Sequence, residues 1–291
     1  IYPLSTRDLS NTVQGFDVYG TVDLGGGGEL DYETWVGTVD LDDSYLIERF
    51  ITEASYAALP ALGLEQPDVT VSDIQATMDY LWGGALDWRT PLQGLRLKVS
   101  GNSSEANVSN AATYSGFVRQ GPAPVPVPVT LTTRTETNYK QDYVMFYSVE
   151  YRRGGLRLAG EHYAAKNTIT IATTGLPFPA PTTTFTEEPI SCYGQVAYRF
   201  NRTWEVSGYY SYMYLDKNDK DGDRFVAQGQ PAHRSWLKQW TFTGRADINR
   251  HWLVKAEVSF MNGTAGVGLL DNPDGLTEDW KLFALQTVVH F

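Results

Sequence analysis

Trp280-Lys281-Leu282-Phe283-Ala284-Leu285-Gln286-Thr287-Val288-Val289-His290-Phe291 closes the chain, and its reading decides the fold. Phe283, Leu285, Thr287, Val289 and Phe291 fall on one face of a period-two strand. Leu282, Ala284, Gln286, Val288 and His290 fall on the other, which is less polar than the matching face of the strands before it.

Three hairpins precede this strand and share one plan. In the first, Trp240, Phe242, Gly244, Ala246 and Ile248 oppose Thr241, Thr243, Arg245 and Asp247. After Asn249-Arg250, Trp252, Val254, Ala256, Val258 and Phe260 return against Lys255, Glu257 and Ser259. In the second, Cys192 to Phe200 turns at Asn201-Arg202 into Trp204 to Tyr214, with Arg199 and Glu205 on the polar face. In the third, Tyr143 to Tyr151 turns at Gly154-Gly155 into Leu156 and Leu158, with Glu150, Arg152, Arg157 and Glu161 opposite. Upstream, Phe16 to Leu24, a strand near 30–40, a strand near 75–89 with Trp82, Leu86 and Trp88, and Leu95 to Val99 continue the pattern.

The apolar faces are aromatic at their ends and aliphatic or small in the middle, while charges of both signs stand mid-strand opposite them. Periodicity alone does not separate a soluble sandwich from a membrane barrel that turns its apolar face to lipid. Loop lengths do. Tight turns near 25–29, 89–94, 152–155, 200–203 and 248–251 alternate with long segments near 41–73, 104–138, 171–188, 216–235 and 263–278. All long connections therefore fall at one end, the pattern of short periplasmic turns and long extracellular loops. The fold expected is all-β, a transmembrane antiparallel β-barrel with about 11–12 strands in this chain. The terminal aromatic Phe291 resembles the assembly signal of outer-membrane barrels.

Bulk properties agree. Mean hydropathy is −0.31, and no apolar run approaches the roughly 18–20 residues of a transmembrane helix. Gly counts 27, Tyr 18 and Trp 8, a composition of strands and turns. The single cysteine, Cys192, excludes an intrachain disulfide framework or a multi-cysteine metal site. A net charge of −11 argues against a nucleic-acid partner. His162, His233, His251 and His290 are scattered over different elements, so no enzyme activity, metal site or cofactor is expected.

Ile1-Tyr2-Pro3-Leu4-Ser5-Thr6-Arg7-Asp8-Leu9-Ser10, then Gln14-Gly15-Phe16-Asp17-Val18-Tyr19-Gly20, resembles the middle of outer-membrane porins of the phosphate-selective porin O/P type. Gly84-Ala85-Leu86-Asp87-Trp88-Arg89-Thr90-Pro91 and Val288-Val289-His290-Phe291 are similar to the same family. The resemblance implies a 16-strand barrel, usually trimeric, that passes small solutes in the bacterial outer membrane of a Gram-negative cell, with this chain as its C-terminal part. A count of about eleven strands, an odd number, points the same way, since single-chain barrels are even, and about five further strands would complete the wall. Phosphate selectivity needs a basic cluster at the constriction, and no residue-by-residue match supplies one.

The chain thus reads as one barrel domain over 1–291, a porin passing small solutes or ions, set in membrane lipid and lipopolysaccharide, as a homotrimer. The alternatives are a scaffold or sheath barrel around a partner protein, and a soluble or surface carbohydrate-binding β-protein. Expected pore-lining residues are Asp79, Asp87, Arg89, Arg96, Lys98, Glu150, Arg157, Glu161, Arg199, Arg245, Asp247, Lys255 and Glu257, whose mixed signs argue for weak selectivity. The segment 41–73 is an extracellular or constriction loop with a short helix starting after Asp42-Asp43-Ser44, and Glu48 and Arg49 are its constriction candidates. Asp216 to Asp223 looks like a calcium loop, but taking Gly222 as the sixth position puts Lys217 first. Pro122, Pro124, Pro126 and Pro128 suggest an extended external strap.

Overall fold

Alternating sequence forms strand wherever one face can be buried or paired. In this chain the strands join a single sheet. A computed structural model describes residues 13–41, 45–120, 125–268, 272 and 275–289. The strands are β1 (Gln14–Asp23), β2 (Glu29–Thr38), β3 (Glu65–Arg89), β4 (Leu95–Gln120), β5 (Val125–Arg153) and β6 (Leu156–Thr174). They continue as β7 (Thr183–Glu187), β8 (Ile190–Arg199), β9 (Trp204–Tyr214), β10 (Trp236–Asp247), β11 (Trp252–Gly263) and β12 (Asp279–Val289). Two α-helices, α1 (Tyr45–Ala58) and α2 (Asp223–Ala227), lie between strands. Every pairing is antiparallel and follows chain order, except that β7 and β8 both pair with β6, one beyond the other along its edge.

Burial is inverted relative to a soluble domain. Phe16 is 84% exposed and Leu285 78%, whereas Thr241 and Ser259 are fully buried and Asp87 is 7% exposed. The register explains this. One row across the sheet runs Leu30, Trp88, Leu97, Val149, Gly160, Gly194, Tyr210, Trp240 and Phe260, and its residues share the apolar face. The polar residues between them share the concave face. Apolar surface left in contact with the surroundings on this scale, with polar groups enclosed, is the arrangement of a barrel set in lipid.

Strand lengths divide the sheet. β1, β2 and β8 have 10 residues and β9 to β12 have 11 or 12, close to what crosses a bilayer. β3, β4, β5 and β6 have 25, 26, 29 and 19 and rise far beyond it. The segment 104–138, expected as a long polar loop, is largely strand, and so is about half of 171–188. β4 and β5 stay paired from Leu95↔Tyr151 up to Gln120↔Val125, and β6 and β7 continue beside them. Ser, Thr and Asn occupy both faces here. Threonine favours strand through its branched side chain, but the inward face mixes Ala112, Tyr114 and Leu131 with Asn110 and Thr133, so the apolar alternation is broken. Cross-strand threonine pairs hold this extension, Thr113 with Thr132 at 3.1 Å and Thr170 with Thr184 at 3.0 Å. The expected strap is in part strand as well: Pro126 and Pro128 pair with β4 where β5 has no neighbour on its other side, the edge position proline tolerates. Pro122 and Pro124 lie outside the described residues.

A bulge at Asp142 marks where the extension begins. Below it the outward residues of β5 are Tyr143, Met145 and Tyr147. Above it they are Lys140, Asn138 and Glu136. The short turns are close-fitting. Gly94 has φ +90°, any side chain there would collide with the Arg152 carbonyl, and the Gly94 carbonyl itself accepts from the Arg152 N–H at 2.9 Å.

Candidate functional site

The concave face carries a band of charge at the short-turn end. Arg96 grips Asp87 through Nε–Oδ1 and Nη2–Oδ2, both 2.6 Å. Arg89 donates to Glu29 at 3.0 Å and to Asp31 at 2.5 Å. Arg152 pairs with Glu150, and Glu161 accepts a 2.7 Å bond from Ser148. Around the sheet, Arg199 donates to Glu205 at 3.2 Å and Asp247 at 2.8 Å, and Arg245 reaches the other oxygen of Asp247 at 2.8 Å. Lys255 lies 3.1 Å from Glu257. Lys98 and Arg157 form no ion pair among the described residues. Together with Asp87, Arg96, Glu150 and Gln195 they line an open cavity of about 340 Å³. The structure therefore brings twelve of the expected lining residues to one face.

Asp79 is the exception. It is the bulged residue between Met78 and Tyr80, and its carboxylate accepts from Asn107 at 2.9 Å. By register Asn107 and Glu105 continue the outward face, and Asn138 bridges both at 2.9 Å. One extra residue reverses the alternation, so Asp79 belongs to the polar exterior above the apolar band.

Helix α1 packs on the concave face at the long-loop end. Ile47, Ile51, Ser55 and Leu59 recur every four residues and turn inward, the stripe a helix needs to sit on a sheet. Ile47 joins Val39, Leu41, Ala76 and Leu81. Leu59 joins Val69, Ala112 and Tyr114 farther up β3 and β4. The opposite flank reaches the far side of the sheet: Gly268, between β11 and β12, lies against Arg49 and Glu53, which pair with each other at 3.3 Å. Arg234, just before β10, is pulled below its ordinary range by burial, with the Glu53 carboxylate opposing that effect. A helix that touches both ends of the strand order spans the mouth of a curled sheet. Of the two constriction candidates, Arg49 takes part in this contact and Glu48 is exposed to solvent. The expected helix start, Asp42 to Ser44, lies outside the described residues.

A cluster of uncharged groups also lies on this face, without a charge pattern to mark it in the sequence. Gln239 Nε2 donates to Tyr209 at 2.8 Å and to Thr241 at 2.7 Å, and Thr241 and Ser259 share a 2.8 Å bond, all on the concave face. The only signal was small hydroxyl residues at paired positions. The calcium-like loop is tied internally, Asp216 accepting from Arg224 at 2.6 Å, and no group of three metal-ligating side chains occurs among the described residues.

Inverted burial, an all-antiparallel meander and a charged concave face define a transmembrane β-barrel wall. No family model and no curated relative matches the chain. Among solved structures it is similar to NanC porin in a rhombohedral crystal form, at 9% identity, with 77% of this chain and 98% of that one covered and a TM-score of 0.32. It is also similar to the translocator domain of the autotransporter NalP from Neisseria meningitidis, at 10% identity, covering 98% of this chain and 92% of that one, with a TM-score of 0.30. At these TM-scores the likenesses add nothing to what burial and register establish.

Proposed function

We propose that the chain forms a porin of the bacterial outer membrane, passing small water-soluble solutes or ions passively along its charged concave face. The observation that carries this reading is the cavity beside Asp87, Arg96, Lys98, Glu150 and Arg157, open and polar on the side of the sheet turned away from lipid. Acids and bases in the band mostly neutralise one another, which supports weak selectivity. Helix α1 sets the width of the outer mouth. The motifs quoted above resemble those of the phosphate-selective porin O/P type, and a trimer is the assembly that this resemblance implies. The test is swelling of liposomes carrying the full-length protein in sugars of graded size: swelling that falls off with solute size supports the pore.

A second reading, a scaffold barrel, is favoured by the tall β3–β6 extension, far longer than a diffusion pore requires. It is the outcome if the protein inserts and no solute passes.

A further inference from the structure

Lysines and arginines are sorted in this wall. Lys98 and Lys255 face the lumen. The other six lysines gather outside, at the long-loop end. Register places Lys140, Lys166, Lys238 and Lys281 on the outward face, and Lys217 and Lys220 follow β9. Lys220 Nζ lies 5.4 Å from the Tyr214 ring centre, and Lys238 Nζ lies 5.9 Å from the same ring and 5.5 Å from Trp236. Lys281 Nζ sits 5.6 Å from the Phe260 ring. Lys220, Lys238 and Lys281 form no ion pair among the described residues. Of the nearby carboxylates, Asp216 holds Arg224, Asp219 accepts from the Arg224 backbone N–H at 3.3 Å and Asp279 accepts from Asn262 at 2.9 Å, while Asp221 and Asp223 stand beside Lys220 in sequence. Below the ammonium groups the same face is apolar, with Phe242 52%, Phe283 74% and Leu285 78% exposed. Farther round, Lys140 and Lys166 flank Asp142, each at 3.9 Å.

We propose that the outward face of β9–β12 is a binding surface for a phosphorylated glycolipid of the leaflet on the long-loop side. Lysine is the residue this geometry calls for. Its flexible stem lies along aromatic rings while the ammonium reaches the headgroup level. Lys220, Lys238 and Lys281 take the headgroup phosphates, Tyr214 and Trp236 lie against the sugar, and the acyl chains follow Phe242 and Leu285 downward. Each basic residue near an anionic surface strengthens its attachment. This surface has meaning only if the sheet spans the membrane, so it rests on the barrel reading.

The test uses the full chain in neutral-lipid nanodiscs, titrated with diphosphorylated lipid A and with its dephosphorylated form, followed by the fluorescence of the outward tryptophans. The expected result is binding weakened at least about tenfold by removing the phosphates, and by about the same factor in Lys220→Gln/Lys238→Gln/Lys281→Gln, with the matching Lys→Arg triple variant binding as the parent does. Inorganic phosphate alone is expected not to displace the lipid. Equal binding of both lipid forms, displacement by inorganic phosphate, or an unaffected Gln variant would overturn the proposal. The dephosphorylated-lipid arm decides the matter on the parent protein even if the Gln variant fails to fold. Heat-modifiable migration of the parent is scored separately, because a chain that never inserts refutes the barrel itself.

Discussion

Asp87, 7% exposed on the concave face, is held by both the Nε and the Nη2 of Arg96 at 2.6 Å across the β3–β4 hairpin. A two-point contact of this kind fixes the plane of the guanidinium as well as its charge. The Arg96 side chain is itself half-exposed, so solvent screens much of the attraction. Arg96→Ala is therefore expected to lower stability by about 1–2 kcal/mol, read as the urea midpoint in micelles. It should also move the reversal potential towards cations, because Asp87 is left unneutralised beside the cavity. A variant with unchanged ion preference would remove the band from the conduction path.

Gly268 lies directly against the ends of the Arg49 and Glu53 side chains, which any side chain placed there would displace. Gly268→Leu is expected to push helix α1 off the far wall without disturbing Ile47, Ile51 or Leu59 beneath it. Single-channel conductance should rise in this variant, and so should the size of sugar admitted in liposome swelling. Conductance equal to the parent would mean that the helix does not limit the mouth.

How much of this was legible in the sequence follows from where alternation carries a hydrophobic signal. Trp240, Phe242, Val258 and Phe260 announce β10 and β11 because every second residue is large and apolar. Thr130, Thr132, Ser109 and Asn107 announce nothing, since the outward face of the extension is polar and its inward face interrupts Ala112, Tyr114 and Leu131 with Asn110 and Thr133, and the extension was read as loop. The bulge at Asp79 inverts the face without leaving a mark in composition. Helix α1 was legible through its start after Asp42-Asp43-Ser44, yet its large residues Tyr45, Phe50 and Tyr56 are exposed, and the packed stripe is Ile47, Ile51 and Ser55, continued by Leu59 just after its end. Parity alone groups twelve of these charges on one face, the face they share in the sheet. Their pairing was not legible, because it depends on which strand lies alongside.

The hydroxyl network across β9, β10 and β11 is enclosed, so its bonds cannot be replaced by water at no cost. Ser259→Ala removes the partner of Thr241 and one acceptor of Gln239. A loss of about 1–2 kcal/mol is expected in urea unfolding, with conductance unchanged, because no charge is altered. A shift in reversal potential instead would assign this cluster to the conduction path.

Glu187 closes β7 in the extension, outside the lipid band. Burial raises its carboxyl above the usual range, and the charge of Asp216 adds to the effect. A raised carboxyl favours the folded state in acid, and that contribution is lost as pH climbs through the raised value. Amide exchange in β7, corrected for its intrinsic pH dependence, should therefore speed up between acid and neutral pH in the parent and stay level in Glu187→Gln. Identical profiles for the two proteins would show that the β7 pairing is insensitive to this charge.

The most direct measurement is planar-bilayer recording of the full-length protein, alone and as Lys98→Gln/Arg157→Gln. Lys98 and Arg157 line the cavity without ion-pair partners among the described residues, so they bear on ion preference more than the neutralised pairs do. The expected result is stable, ohmic channels of weak selectivity in the parent, with the reversal potential displaced towards cations in the double variant. Protein that inserts and migrates as a heat-modifiable barrel but opens no channels, or channels whose reversal potential ignores both substitutions, would contradict the account.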